Sequence, residues 1–363
     1  MLIGVDASAL VKNRTGVGNY IYAILIELVK QTQHEFYLYS NQAIFFPALK
    51  NVHVKVSVPY RKGPLWQNTQ LRSMLIKDGV DVFWGGNGYL PIGLPKYMGK
   101  VLTIHDLVYR QAGSTMPWVS RWSRRFFQPL SVRLADKIVA VSQATASEMV
   151  QFYQRSPDKV IHPQIDPVYR LVPMAEQVSV SKKYNLNRQF LLVLGTLEPR
   201  KNLVNLVTAW LQLHEEGFDL PLLAIAGGKG WLDGALPKLV SIGESLGIIK
   251  KLGFVAQEDM RGLYSCASTF ILPSLYEGFG MPVLEAQLCG TPVMISDIPS
   301  LREASGGVAC FFEPSIEGIK HAVRAYLSNS LPLSCRLPST VSNDPHIASI
   351  SMLDLFSESF ERS

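Results

Sequence analysis

The sequence predicts an α/β protein made of two parallel-sheet domains in tandem, and three observations carry that prediction. Short β-branched runs alternate with segments whose apolar residues recur at helical spacing, the pattern of successive βαβ units. The alternation breaks once, over Asp166–Ser181, and then resumes, so there are two series rather than one. The length of 363 residues matches about two domains at the usual roughly 100–200 residues each.

In the first series the expected strands are Leu2–Val5, Phe36–Tyr39, Val52–Val58, Val80–Trp84, Val101–Ile104, Lys137–Val141 and Lys159–Ile161. Between the first two, Tyr20, Ile21, Ile24, Leu25 and Leu28 repeat at the spacing of one helical face. The stretch Asp166–Ser181 carries Pro167 and Pro173 with few regular apolar repeats, and is expected to be a linker. The second series gives Phe190–Leu194, Leu222–Ala226, Lys250–Phe254, Thr269–Leu272, Pro292–Ser296 and Ala309–Phe312. Beyond Leu327 the chain turns polar and proline-bearing through residues 328–346, which predicts a loop. A final amphipathic helix follows, with Ile347, Ile350, Leu353, Phe356 and Phe360 on its apolar side. The expected domains are therefore residues 1–172 and 182–340, with 345–363 as a terminal helix.

Composition excludes several classes. Hydrophobic residues make up 47% and charged residues 18%, too apolar for a disordered chain. Apolar stretches such as Tyr20–Val29 and Leu191–Leu197 fall well short of the roughly 20 residues of a spanning helix. The opening Met1-Leu-Ile-Gly-Val-Asp has no basic region or cleavage site of an export signal, so the expected location is cytoplasmic. Cys266, Cys289, Cys310 and Cys335 lie far apart, without the close pairing of zinc or redox sites, and are read as small apolar residues. The net charge of +6 is uneven: residues 1–170 carry +10 and residues 171–363 carry −4. The N-terminal half therefore suits an anionic partner, which charge alone does not identify.

Two windows carry chemistry. Leu272-Pro-Ser-Leu-Tyr-Glu-Gly-Phe-Gly-Met-Pro-Val-Leu-Glu-Ala leaves a strand, turns at Gly278 and Gly280, and enters a helix with Pro282 in its first turn. Amides at that helix start form an anion site at the carboxyl edge of a sheet. Glu277 and Glu285 bracket the turn, and two carboxylates beside an anion cradle make sense as partners for sugar and ribose hydroxyls. In Val193-Leu-Gly-Thr-Leu-Glu-Pro-Arg-Lys-Asn, Arg200 and Lys201 stand at the mouth of a strand, able to neutralise a departing diphosphate.

These windows, with Ala226-Gly-Gly-Lys-Gly-Trp and Gly290-Thr-Pro-Val, resemble family 4 of the retaining glycosyltransferases; Glu277 and Glu285 match its Glu-x7-Glu motif, and the resemblance covers about residues 1–327. It implies the GT-B fold, two Rossmann-like parallel-sheet domains facing each other across a cleft. It also implies a nucleotide-sugar donor on the C-terminal domain, an acceptor on the N-terminal domain, and a terminal helix that returns to the N-terminal domain. By position, Glu285 would bind the ribose and Glu277 the donor sugar, with Gly278, Phe279 and Gly280 lending amides. Arg200 and Lys201 would grip the diphosphate, Lys201 foremost, because Thr196 stands where many members carry another arginine. In the first half, Arg14-Thr-Gly-Val-Gly-Asn and Thr103-Ile-His-Asp resemble the family's donor-facing loop and its histidine. Gly16 would admit the diphosphate closely, and His105 would stand near the anomeric carbon, with Asp106 a weaker candidate.

The expected chemistry is transfer with retention, by front-face attack through an oxocarbenium-like transition state stabilised by charge and positioning. No Asp-x-Asp pair occurs, so no metal and no cofactor is expected, the cations and helix end serving instead. The opening motif resembles members that take mannose from GDP-mannose into O-antigen or lipopolysaccharide, on a lipid-linked saccharide acceptor. A UDP-sugar transferase of the same fold, or a nucleotide-binding protein that is not a transferase, is the alternative. An oxidoreductase would require the full Gly-x-Gly-x-x-Gly spacing, which neither Gly228-Lys-Gly nor Gly278-Phe-Gly shows. Nucleic acid is not an expected partner, because the C-terminal half is acidic. Trp118, Trp122 and Phe126 interleave with Arg121, Arg124 and Arg125, a composition suited to peripheral contact with an anionic membrane or else to a buried aromatic face.

Overall fold

The computed structural model describes residues 1–57, 63–195, 198–228, 234–328, 330 and 343–362. They form two compact units. One takes in Met1–Gly113, Pro117–Gln164 and the C-terminal helix; the other takes in Ser114–Met116 and the described residues from Ile165 to Ser330. All the expected strands form, their ends shifted by at most two residues.

The first unit is a seven-stranded parallel sheet of β1 (Leu2–Asp6), β2 (Glu35–Ser40), β3 (Val52–Val56), β4 (Val82–Gly85), β5 (Gly99–Ile104), β6 (Lys137–Ala140) and β7 (Lys159–Val160). The spatial order is 3-2-1-4-5-6-7, so the winding reverses between β1 and β4, where Ile3 faces Phe36 on one side and Val82 on the other. Both faces are covered, and strand residues such as Ile3, Val5, Phe36, Val82 and Phe83 are fully buried. Helix Gly16–Gln31 covers one face with Tyr20, Ile21, Ile24, Leu25 and Leu28, the five residues that the spacing singled out. Each such side chain taken from water contributes roughly 1.5–3 kcal/mol.

The terminal helix Pro345–Glu361 starts at Asp344, whose carboxylate accepts from the His346 amide. It packs on the first unit, with Phe356 against Trp84 and with ion pairs from Lys137 to Glu358 and from Lys159 to Asp354. The face it buries is only partly the expected one, with Phe356 alone of the five expected residues fully inside. Ala348, Ser349, Met352, Leu355, Phe356 and Ser359 are inside, whereas Ile347, Ile350 and Phe360 are 54%, 43% and 44% exposed. Close approach accounts for one of the small residues inside: a Cβ on Gly99 would lie 2.7 Å from Ser359 Oγ, so a bulky side chain has no room at that position against β5. The expected loop 328–346 lies mostly outside the described residues, as does Cys335.

The second unit is a six-stranded parallel sheet of β8 (Phe190–Leu194), β9 (Leu222–Ala226), β10 (Ile249–Gly253), β11 (Thr269–Leu272), β12 (Val293–Ser296) and β13 (Cys310–Phe312), in the order 10-9-8-11-12-13. Trp210, Leu206 and Leu213 of helix Leu203–Glu215 fill its core with no exposure. The stretch expected as a linker instead carries helix Met174–Lys183, which packs on helix Gln257–Cys266. Val180 is its only buried residue, so the apolar period that would betray a helix is missing. Val180 seats where a Cβ on Gly262 would come within 2.7 Å, and the Arg261–Glu176 and Lys183–Asp259 pairs, at 2.9 and 2.6 Å, hold the two helices together. Pro173 caps the helix, a position where proline favours a start rather than a break. Cys289 is buried and Cys266 and Cys310 are half-buried, all with free thiols.

Candidate functional site

Strands β8 and β11 are neighbours in space although β9 and β10 come between them in sequence, so the second sheet reverses its winding there. At such a point the loops leaving the carboxyl ends part and open a crevice for a ligand. The Leu275 amide donates to the Arg200 carbonyl at 2.8 Å, joining the loop after β8 to the loop after β11. The two windows singled out in the sequence thus form one site.

Glu277 is its centre. Its Oε1 accepts from Lys201 Nζ at 2.5 Å and from Ser274 Oγ at 2.7 Å, and its Oε2 accepts from Arg200 Nη1 at 2.5 Å. Arg200 Nη2 also pairs with Glu198 Oε1 at 2.6 Å. Burial alone would raise the Glu277 pKa, but the Lys201 and Arg200 charges and the hydrogen bonds from Lys201 and Ser274 outweigh it, and the group sits at about 2. Two cations and two carboxylates balance here. Arg200, with a quarter of its side chain exposed, is more accessible than Lys201 at a tenth.

Backbone geometry makes room for this cluster. A Cβ on Gly227 would lie 1.9 Å from the Gly195 carbonyl oxygen, so the loops after β8 and β9 touch through glycine alone. Asn202 adopts the left-handed conformation at φ 58° and turns the chain from the Arg200–Lys201 loop into helix Leu203–Glu215, its side-chain Nδ2 donating to the Pro314 carbonyl at 2.8 Å.

Gly280, at φ 123°, caps helix Met281–Leu288, and a Cβ there would come within 2.6 Å of Leu301. Phe279 is buried beneath this turn, and Gly278 is half-buried. Glu285 lies on the helix, 8% exposed, where Tyr264 Oη donates to its Oε2 at 2.8 Å. Oε1 has no protein partner among the described residues. Burial pushes the Glu285 carboxyl up to about 7, against the Tyr264 hydrogen bond that lowers it and with a smaller upward push from Asp166. One carboxylate of the motif is thus held ionised by cations, and the other is buried with one hydrogen bond and no cation to offset its burial. Sequence reasoning passed over Glu198, Ser274 and Tyr264. The first two stand inside the quoted motifs and were open to notice, whereas Tyr264, mid-helix and distant in sequence, carries no signal.

In the first unit His105 follows β5. Its Nε2 donates to the Gly86 carbonyl at 2.7 Å, because a carbonyl can only accept, which leaves Nδ1 as the acceptor of a neutral ring. Burial lowers its pKa, outweighing the Gly86 bond that raises it. Asp106 accepts from Arg124 Nη1 at 2.7 Å and from the Val108 amide. Gly16 opens helix Gly16–Gln31 and is exposed. The glycine that local packing demands is Gly18, where a Cβ would lie 2.4 Å from the Ala9 carbonyl. Helix Trp118–Leu134 leaves Trp118, Trp122 and Phe126 at 74%, 64% and 66% exposure, so the buried-face reading of this segment is excluded. Arg125 lies by the Trp122 ring, while Arg124 is engaged with Asp106. Among the described residues no helix is long and apolar enough to cross a membrane.

The fold and the site define a class. Residues 14–169 match the family model described as Glycosyltransferase Family 4, and residues 175–338 match Glycosyl transferases group 1. The solved structure of sucrose-phosphate synthase from Thermosynechococcus elongatus superposes with a TM-score of 0.73 at 15% identity, covering 100% of this chain and 99% of that one. WaaG, a glycosyltransferase involved in lipopolysaccharide biosynthesis, superposes at 0.70 with 15% identity over 99% of each chain. Both are GT-B glycosyltransferases, and this chain has that fold. The chain thus carries two glycosyltransferase domains in tandem, Glycosyltransferase Family 4 and then Glycosyl transferases group 1. Among curated relatives, O-antigen chain mannosyltransferase B of Escherichia coli is 34% identical over 238 residues, 64% of this chain and 61% of the relative, so the match spans rather more than half of that protein.

Proposed function

We propose that the protein is a retaining glycosyltransferase that moves a hexose, mannose from GDP-mannose, onto a lipid-linked or polysaccharide acceptor in the synthesis of a bacterial surface glycan such as O-antigen. The observation that carries this reading is the pairing of two unlike carboxylates at one switch point: Glu277 bound to Arg200 and Lys201, and Glu285 with an unused oxygen beside a helix start. Glu285 Oε1 accepts a ribose hydroxyl. The amides that follow Gly280 meet the phosphates. Arg200, the more exposed cation, and Lys201 turn to the diphosphate, while Glu277 faces the donor sugar. The relation to an O-antigen mannosyltransferase supports mannose as the sugar.

The leaving diphosphate takes the acceptor's proton as the acceptor oxygen attacks the same face, so no protein nucleophile is needed. Arg200 and Lys201 stabilise the charge that develops on the leaving group, the task a divalent ion performs elsewhere, and we propose transfer without a metal. His105 enters as a neutral ring that can accept a hydrogen bond through Nδ1. The protein works at the inner face of the plasma membrane, held by the exposed Trp118, Trp122 and Phe126 with Arg121 and Arg125.

The test is thermal stabilisation by GDP, UDP, ADP and their sugar conjugates in EDTA, with Glu285→Ala alongside, since a ligand bound by the native state alone raises Tm. Stabilisation by GDP and GDP-mannose that the variant loses is the expected result. A preference for UDP would replace the donor assignment, and no response to any nucleotide would overturn the transferase reading.

A further inference from the structure

In the order β1-β4-β5 of the first sheet, the segments that follow these strands lie side by side: helix Gly16–Gln31 after β1, Gly86 after β4 and His105 after β5. Glycine lets them close on one another. A Cβ on Gly18 would lie 2.4 Å from the Ala9 carbonyl oxygen, and one on Gly86 would lie 2.9 Å from Ile21 Cδ1, so the first turns of the helix reach both the loop after β1 and the turn after β4. That approach carries the buried Tyr20 to His105, with the two ring centres 5.1 Å apart and the rings nearly perpendicular, at 86°. Separation and angle are those of a favourable T-shaped aromatic pair.

His105 is thus held twice. The Gly86 carbonyl, in a turn closed by the Gly88 amide donating to the Gly85 carbonyl at 3.3 Å, accepts from His105 Nε2 at 2.7 Å. One hydrogen bond fixes one atom, and the torsion that swings an imidazole about its bond to Cβ has a broad minimum, so the plane of the ring needs a second contact. A ring standing across it supplies that contact. Ile21, Ile24, Leu25 and Leu28 on the buried face of the helix are aliphatic and fill the core; Tyr20 is the one aromatic side chain the helix buries, and it is the one set against His105.

We propose that Tyr20 is a positioning residue: with the Gly86 carbonyl it holds His105 in one plane and in the tautomer that carries its proton on Nε2, so that Nδ1 is always presented as an acceptor. That Nδ1 serves glycosyl transfer rests on the transferase reading; that Tyr20 sets the ring rests on this geometry alone. A ring free to turn would offer a reacting hydroxyl an N–H or a C–H edge as readily as a lone pair, whereas a fixed one is aligned before the substrate arrives. The same enclosure favours the neutral ring: burial lowers its pKa, against the Gly86 bond and the Asp106 charge that raise it and with the Arg124 charge that lowers it.

The experiment records the ring nitrogens of His105 by NMR in the full chain, labelled at histidine, across the pH range in which histidine titrates, with His105→Gln to assign the signals. The Tm shifts with GDP, UDP and ADP are measured in parallel as an independent report on the second unit. The wild type and Tyr20→Phe, which keeps the ring, should show one neutral tautomer, protonated on Nε2, that titrates below the ordinary histidine value. Tyr20→Leu should move the tautomer ratio by about tenfold toward a mixture, titrate closer to the ordinary value and keep the nucleotide response. Tyr20→Met, which fills more of the space, stands in should leucine prevent folding. Leu28→Ala, as deeply buried further along the same helix, should lower Tm and leave the His105 signals in place. A Tyr20→Leu or Tyr20→Met spectrum identical to the wild type, or an equal change in Leu28→Ala, overturns the proposal whatever the nucleotides do. The expected spectra with no response to any nucleotide leave Tyr20 as the residue that sets the ring and remove the transferase reading.

Discussion

Replacing Glu285 by glutamine should make the protein more stable while removing the function assigned to it. The folded-state pKa lies at about 7, against an ordinary value of 4.5, because burial penalises the charged form. The native state therefore holds a proton that the unfolded chain has already released between these values. Raising the pH through the window from 4.5 to 7 destabilises the protein, and the loss levels off above it. At 1.36 kcal/mol per pKa unit the full loss is about 3 kcal/mol, on the order of 6–12 °C in Tm for a domain of this size. Glutamine carries no charge, and its carbonyl can still accept from Tyr264. Melting curves from pH 5 to pH 8.5 should show the wild type losing several degrees that Glu285→Gln keeps, with the two proteins nearly equal at pH 5. The variant should also lose its stabilisation by nucleotide. Parallel curves would refute the isolated, uncompensated Glu285 on which this reasoning depends.

The opposite sign holds at Glu277, whose pKa of about 2 means that its stabilisation is complete above 4.5 and is lost as the pH falls toward 2. Lys201→Met leaves that carboxylate buried with one cation fewer; stability at pH 7 should drop by about 3–5 kcal/mol and acid unfolding, followed by tryptophan fluorescence, should begin at higher pH. Gly227→Ala should cost about 1–3 kcal/mol through overpacking and weaken nucleotide binding, whereas Gly228→Ala, where a Cβ meets nothing within 4 Å, should leave the thermal-shift assay unchanged. Changing Arg121 and Arg125 to glutamine should weaken sedimentation with anionic liposomes by about thirtyfold, at roughly 1 kcal/mol per arginine, and Trp118→Ser with Trp122→Ser should weaken it further. Binding unchanged by all four substitutions would refute the membrane contact.

Much of the fold was legible because parallel strands covered on both faces read as continuous β-branched runs, and the intervening helices kept a regular apolar period. One helix, and the buried face of another that was expected, escaped that reading. Helix Met174–Lys183 buries a single valine, and helix Pro345–Glu361 buries Ala348, Ser349 and Ser359 beside Met352, Leu355 and Phe356 while showing solvent three large apolar residues. In each, one contact is a close approach to a glycine, Val180 to Gly262 and Ser359 to Gly99, and a glycine's partner cannot be read from either segment's own hydrophobicity.

The site divides in the same way. The residue types at Arg200, Lys201, Glu277 and Glu285 were written in local motifs, since a turn that cradles an anion needs glycines and a helix start at fixed offsets. Their states were not. Lys201, Arg200 and Ser274 converge on Glu277, and Tyr264 on Glu285, only because β8 lies beside β11 and a mid-sequence helix packs against another. By itself the sequence determined two parallel-sheet units and their likeness to glycosyltransferases, and it singled out the two carboxylates of the candidate site. The tertiary structure alone decided which carboxylate is held ionised and which is pushed toward neutrality, because a pKa depends on burial and on neighbours in space, and those neighbours lie far apart along the chain.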